Sequence, residues 1–195
     1  MKRSDGSFKA FLSYAWQWYL LIAAAIAGID YGIYSLAHTP KRENTLSLFV
    51  ACQNMESQRL ENDLFEANFQ DSPIEKVAVD YSDPDGFYFN LVFSTRGVTN
   101  TDIVLLPSHY LGEESYPTYF VPLDETVVAD NICETLSWTD YEDIHYGMGI
   151  GDRLSLYGIQ GDYYAFLNKK SGKIGRFGKN SQNDYALWAL RWIYA

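Results

Sequence analysis

Basic side chains are scarce through most of this sequence. Residues 46–168 carry 4 of them against 21 acidic ones, a local balance of −17 within a whole-chain charge of −10. Such a surface repels phosphate backbones, which excludes nucleic acid as a partner. Histidine and cysteine are scarce too. His38, His109 and His145 fall in unrelated segments, and Cys52 and Cys133 stand far apart. Two distant thiols match no zinc spacing; outside the cytoplasm they are free to pair, and spacing alone does not bring them together. No HExxH, GxSxG or phosphate-binding glycine loop occurs, and "GMGIGDR" lacks the strand and helix that a nucleotide loop needs. "TDYEDIHYG" gathers Asp140, Glu142, Asp143 and His145, a pattern that more often marks an exposed acidic loop than a metal site. Ser108 beside His109 makes no dyad, because neighbouring side chains on a strand point to opposite faces. These absences point to a protein that binds rather than catalyses, with no cofactor and no metal.

Charge is absent from one long run, Ala10–Ile29, "AFLSYAWQWYLLIAAAIAGI". A helix from Tyr14 to Tyr34 would rise roughly 31 Å at about 1.5 Å per residue, close to the thickness of a bilayer core. Tyr14, Trp16, Trp18 and Tyr19 at one end, and Tyr31 and Tyr34 at the other, suit the two interfaces. Asp30 lies near the outer end, where its carboxylate reaches water. The run is longer than the apolar core of a cleavable signal, although "SLA" at Ser35–Ala37 has the small-x-small form of a cleavage site. Lys2, Arg3 and Lys9 before the run outweigh Lys41 and Arg42 after it, which favours an N-terminus inside. The expectation is a single-pass anchor over residues 1–37, a linker over 38–45, and an extracytoplasmic domain over 46–195. The rival is a buried soluble helix.

With 47% hydrophobic and 16% aromatic residues, the remainder is rich enough for a real core. Sixteen tyrosines and five tryptophans suit a sugar-stacking surface or ordinary packing equally. Residues 169–195 reverse the charge balance, and Lys169, Lys170, Lys173, Arg176 and Lys179 in "NKKSGKIGRFGK" form either a solvated loop or a surface for anionic headgroups or an acidic partner.

The apolar patterns predict an α/β domain. Leu46–Cys52, Glu75–Tyr81 and Asp102–Pro107 read as buried strands, and Asn54–Phe69 reads as a helix burying Leu60, Leu64, Ala67 and Phe65. Continuous apolar strands separated by a helix imply a parallel or mixed sheet. "FYFNLVFS", Phe87–Ser94, alternates like a strand, yet Asp83 and Pro84 resemble a helix start and parallel neighbours need a crossover; a short helix is the preferred reading. Tyr119–Glu125 suggests a short strand and turn. Residues 125–136 fit strand or helix, and Arg153–Asn168 reads as a hairpin around Gly161 and Asp162. Ser181 and Asp184 form a capping pair before a closing helix that turns Leu187, Leu190, Ile193 and Tyr194 inward.

The succession from Leu46 through "SDPDGFYFNLVFSTRGVTNTDIVLLPSHYL" to "YFVPLDE" resembles the first lobe of bacterial solute-binding proteins that serve ABC transporters. "YYAFLNKKSGKIG" and the closing helix are similar to late elements of that family. The resemblance implies a periplasmic-binding-protein-like fold in which "DIVLLP" carries the chain to the ligand cleft. Ligands in open α/β sheets sit beyond the carboxyl ends of the strands, where strand order reverses. Gln53, Asn54, Ser108, His109 and Tyr110 are therefore the expected contact residues. About 70 residues follow Glu125, too few for a second full lobe. A single lobe favours an accessory protein docking on an integral membrane or transport partner; the alternative is a single-pass receptor holding a small solute at those strand ends.

Overall fold

The structure is a computed structural model describing residues 5–38, 40–108, 110, 112–124, 127, 137–179 and 181–195. The chain divides after Pro40 into two compact units. The first holds one continuous helix, α1, Asp5–His38. Its side chains are described from Trp16 to Tyr34, and the large apolar ones among them are exposed. Among the described residues no helix is long and apolar enough to cross a membrane. Residues 10–15, which begin the uncharged run, and the "SLA" of Ser35–Ala37 have side chains outside the described set.

The second unit is built on a six-stranded mixed sheet. Its strands are β1 (Thr45–Ala51), β2 (Lys76–Ser82), β3 (Ile103–Pro107), β4 (Trp138–Tyr141), β5 (Ile144–Gly149) and β6 (Tyr163–Leu167). They lie in the order β2-β1-β3-β6-β5-β4. β1 runs parallel to β2 and β3, with Leu48 opposite Val79 on one side and Ile103 on the other. β6 runs antiparallel to β3 and β5, and β4 and β5 form a closing hairpin. β1 and β3 are apolar at successive positions because both of their faces are covered.

Side-chain alternation sends Leu46, Leu48 and Val50 of β1 and Ile103 and Leu105 of β3 to one face. There they meet Leu60 and Leu64 of α2 (Ser57–Asn68) and the apolar stripe of the closing helix. Phe49, Ala51, Val104 and Leu106 go to the other face. They pack under α3 (Phe89–Val92), the π-turn Phe93–Gly97 that continues it, and Tyr116 of α4 (Tyr116–Tyr119). The closing helix, α5 (Tyr185–Tyr194), buries Leu187, Leu190, Ile193 and Tyr194 as the sequence implied. The result is a three-layer α/β sandwich, and the segment over Phe87–Ser94 is helical at Phe89–Val92.

A buried polar knot ties the amino ends of the strands. Asp102 accepts hydrogen bonds from the Ser47 backbone N–H (2.9 Å) and the Ser171 hydroxyl (2.6 Å), and its carboxylate pairs with the buried Lys173 ammonium at 3.3 Å. It joins the starts of β1 and β3 to the loop after β6.

Several local expectations are corrected. Arg153–Gln160 is not a strand: Gly151–Tyr157 forms 3₁₀ turns that bury Leu154 and Tyr157 at i, i+3 spacing. Gly158 ends them at φ +87°, a conformation no strand allows. The antiparallel partners of β6 are β3 and β5. Tyr119 closes α4, and Phe120 makes a single bridge to Asn168 in place of a strand. Asp83 caps no helix; its side chain accepts the Asp85 N–H at 3.0 Å in a tight turn, and α3 begins at Phe89. Ser181 donates its hydroxyl to the Gly172 and Asn183 carbonyls, so it does not cap α5. Ala67 is exposed and Phe69 takes the buried place. Residues 128–136, including Cys133, lie outside the described residues, and Cys52 is a buried free thiol.

Candidate functional site

Strand order reverses at β1: the chain leaves it for β2 on one side and reaches β3 on the other. The two crossovers lie on opposite faces of the sheet, so nothing fills the space between the carboxyl ends of β1 and β3. A crevice of about 330 Å³ opens there. Gln53, just past β1, and Ser108, just past β3, both line it. The turn entering β2's crossover adds Pro84 and Asp85, and the turn before β6 adds Gln160 and Asp162. The Ser108 N–H donates to the Asp162 carbonyl at 2.9 Å, which fixes that turn against the end of β3. Tyr163 donates its hydroxyl to the Ala51 carbonyl at 2.8 Å and braces the floor.

Asn54 and Tyr110 lie elsewhere. Asn54 is absent from the crevice wall; its backbone carbonyl packs against the turn at Gly158. Tyr110 turns back beneath α3, where its hydroxyl donates to Asn90 Oδ1 at 2.8 Å and its ring meets Phe89 edge-on at 4.5 Å. Burial there raises the Tyr110 pKa above its ordinary value. His109 lies outside the described residues. Sequence reasoning missed Asp85, Gln160 and Asp162. The Gly161-Asp162 turn was visible, but nothing local said that β6 lies beside β3.

The crevice is acidic and holds no basic side chain among its described lining residues. Burial, with Asp83 nearby, pushes the Cys52 thiol up to about 11. The thiol is therefore protonated at neutral pH and no nucleophile. The chemistry of these groups suits polar or cationic matter and disfavours anions.

On the chain just beyond Asp85 stands an apolar knob. Phe87 is 93% exposed and Tyr88 68%, their rings meeting edge-on at 4.9 Å, and Leu91 is 61% exposed. Three large apolar side chains standing in water within five residues make the densest such group among the described residues of this domain, where Tyr81, Ile144, Leu156 and Trp188 are exposed singly.

The acidic group at Thr139–Gly147 is the β4–β5 hairpin. Glu142 and Asp143 form its turn at φ 52° and 61°, and His145 Nδ1 lies 2.6 Å from Asp140 Oδ1. The basic run is divided among separate tasks. Lys169 donates to the Pro117 carbonyl, Lys173 is buried on Asp102, and Arg176 pairs with Asp124. Lys170 and Lys179 remain exposed.

Comparison with known protein families, curated proteins and solved structures finds no match.

Proposed function

We propose that this chain is a membrane-anchored binding protein whose extracytoplasmic α/β domain docks on an integral membrane or transport partner. The observation that carries the reading is the exposed knob of Phe87, Tyr88 and Leu91 at the carboxyl edge of the sheet. Aromatic side chains standing in water are the usual anchors of a protein interface, and the charges beside this knob, Asp83 and Asp85, suit a partner with an apolar pocket and a basic rim. The uncharged run of Ala10–Ile29 within the 34-residue helix supports the anchor. The order β2-β1-β3 supports the resemblance to a solute-binding lobe.

The full chain, extracted in mild detergent, is expected to bring down a specific integral membrane protein. Phe87→Ala is expected to weaken that association by about 2 kcal/mol or more, as interface anchors do. Its effect on the domain's own stability is expected to stay within about 0.5 kcal/mol, because an exposed side chain loses little on truncation. Leu156→Ala, at another exposed apolar side chain (68%), serves as the control and leaves association unchanged. Equal recovery with Phe87→Ala and with the natural chain would overturn the reading.

The crevice favours a second reading, direct capture of a small polar or cationic solute. Its volume of about 330 Å³ suits a ligand of modest size. A solute screen by thermal shift on the full chain is expected to yield a stabilising compound whose effect disappears in Gln53→Ala and in Ser108→Ala. No shift across polyols, sugars, amino acids and polyamines would sink it.

A further inference from the structure

We propose that a second cavity, at the amino edge of the sheet and so at the opposite end of the domain from the crevice, binds a phosphate-bearing ligand. This cavity is about 680 Å³ and is walled by the residues leading into β1, the loop after β6 and the residues leading into α5. Its volume falls within the range of small-molecule sites. The inference rests on the fold and is independent of the docking reading.

Charge is the first argument. Arg42, Lys170 and Lys173 line this cavity, against Glu43 and Asp102. The surplus is positive, in a domain whose residues 46–168 sum to −17. Asp102 offers little free negative charge: both carboxylate oxygens accept other hydrogen bonds, from Ser47 and Ser171, besides facing Lys173. A positive cavity in an acidic body concentrates anions locally.

Unspent donors are the second argument. Lys173 is 7% exposed, yet its ammonium hydrogen-bonds to Asp102 alone among the described residues, at 3.3 and 3.4 Å. A buried ammonium has three N–H groups to satisfy. Arg42 spends one N–H on the Thr99 carbonyl at 3.0 Å, which holds the guanidinium in place; among the described residues the rest of its fork has no hydrogen-bond partner and suits a planar or tetrahedral oxyanion.

The phosphate has two sources, a soluble phosphate ester or the headgroup of an anionic lipid. Arg42 lies four residues after the end of α1, so the wall of the cavity is continuous in sequence with the proposed anchor.

The test titrates inorganic phosphate and glycerol phosphate into the full chain in maltoside micelles at constant ionic strength, with chloride as the control. Calorimetry is expected to show saturable binding with both phosphates and none with chloride. Arg42→Ala and Lys170→Ala, both at exposed positions, are each expected to weaken it by about tenfold, the scale of one charge-assisted contact. Glu43→Gln is expected to tighten it by removing a repulsive charge. Absence of phosphate binding, or binding unchanged in Arg42→Ala and Lys170→Ala, overturns the proposal. Nanodiscs then separate the sources. If discs containing phosphatidylglycerol weaken the apparent affinity for glycerol phosphate relative to micelles, the headgroup occupies the site; an unchanged affinity assigns it to a soluble ester.

Discussion

Asp102→Ala is expected to destabilise the domain by about 3–5 kcal/mol, measured as a drop in the urea midpoint of the full chain at neutral pH. The cause is what the truncation strands. Lys173, with 9% of its side chain exposed, would keep its charge without a partner. The Ser47 N–H and the Ser171 hydroxyl would lose their acceptor as well. Each orphaned buried donor costs about 1–3 kcal/mol, and the losses overlap because they share one carboxylate. Lys173→Met should cost clearly less. It leaves Asp102 with two hydrogen bonds, and the methionine fills most of the space. Asp102→Asn should fall between the two, since one amide oxygen replaces two carboxylate oxygens. Because the pair is buried, added salt should barely change the differences. If Asp102→Ala and Lys173→Met cost the same, the knot would be an ion pair and no more. If neither costs more than about 1 kcal/mol, the range of exposed pairs, it would not hold the strands together.

That knot shows where the sequence was legible and where it was not. β1 and β3 announced themselves because strands covered on both faces carry unbroken apolar runs, Leu48–Ala51 in β1 and Ile103–Pro107 in β3. The interruption between β2 and β3 asked for a crossover between parallel neighbours, whereas β1 lies between the two; the reversal at the ends of β1 and β3 came from the resemblance to a solute-binding lobe. From there Gln53 and Ser108 followed, as the first polar residues after two adjacent strands. Asp102 read as the first residue of a strand, and Lys173 as part of a solvated loop or a surface for anionic partners. Their pairing needs β6 beside β3, and that order is written in no local pattern. The same ignorance hid Asp162 and Gln160, which reach the crevice only through β6. Tyr110 misled for another reason: its N–H donates back to the Pro107 carbonyl at 3.1 Å, and the turn carries the ring under α3. The 151–157 segment misled because Leu154 and Leu156 alternate like a strand, while Gly158 at φ +87° permits only a turn and leaves Leu156 exposed.

Phe49→Ala is expected to cost about 3–5 kcal/mol, as large-to-small changes at buried aromatics do. Phe49 is fully buried on β1, the strand with neighbours on both sides. Its ring meets Phe89 at 6.0 Å and Phe93 at 5.9 Å, while those two stack on each other at 5.8 Å. The cavity could not close easily, because the backbone is already pressed onto the rings. A Cβ on Gly97 would stand 2.7 Å from Phe93 and 3.2 Å from Phe49. Phe93→Ala should cost a similar amount, and the double variant less than the sum, since the two rings share one contact. Leu91→Ala, by contrast, should shift stability by no more than about 0.5 kcal/mol. This contrast decides between the two ways the segment can be read. A strand over Phe87–Ser94 would put Phe87, Phe89, Leu91 and Phe93 on one face and make all four substitutions comparable. The helix and the π-turn that continues it bury Phe89 and Phe93, four apart, and leave Leu91 in water, while Phe87 is exposed in the turn before them. The crossover that closes the core is thus the element that presents the apolar knob. Stability is expected to track the buried pair, and partner binding the exposed one.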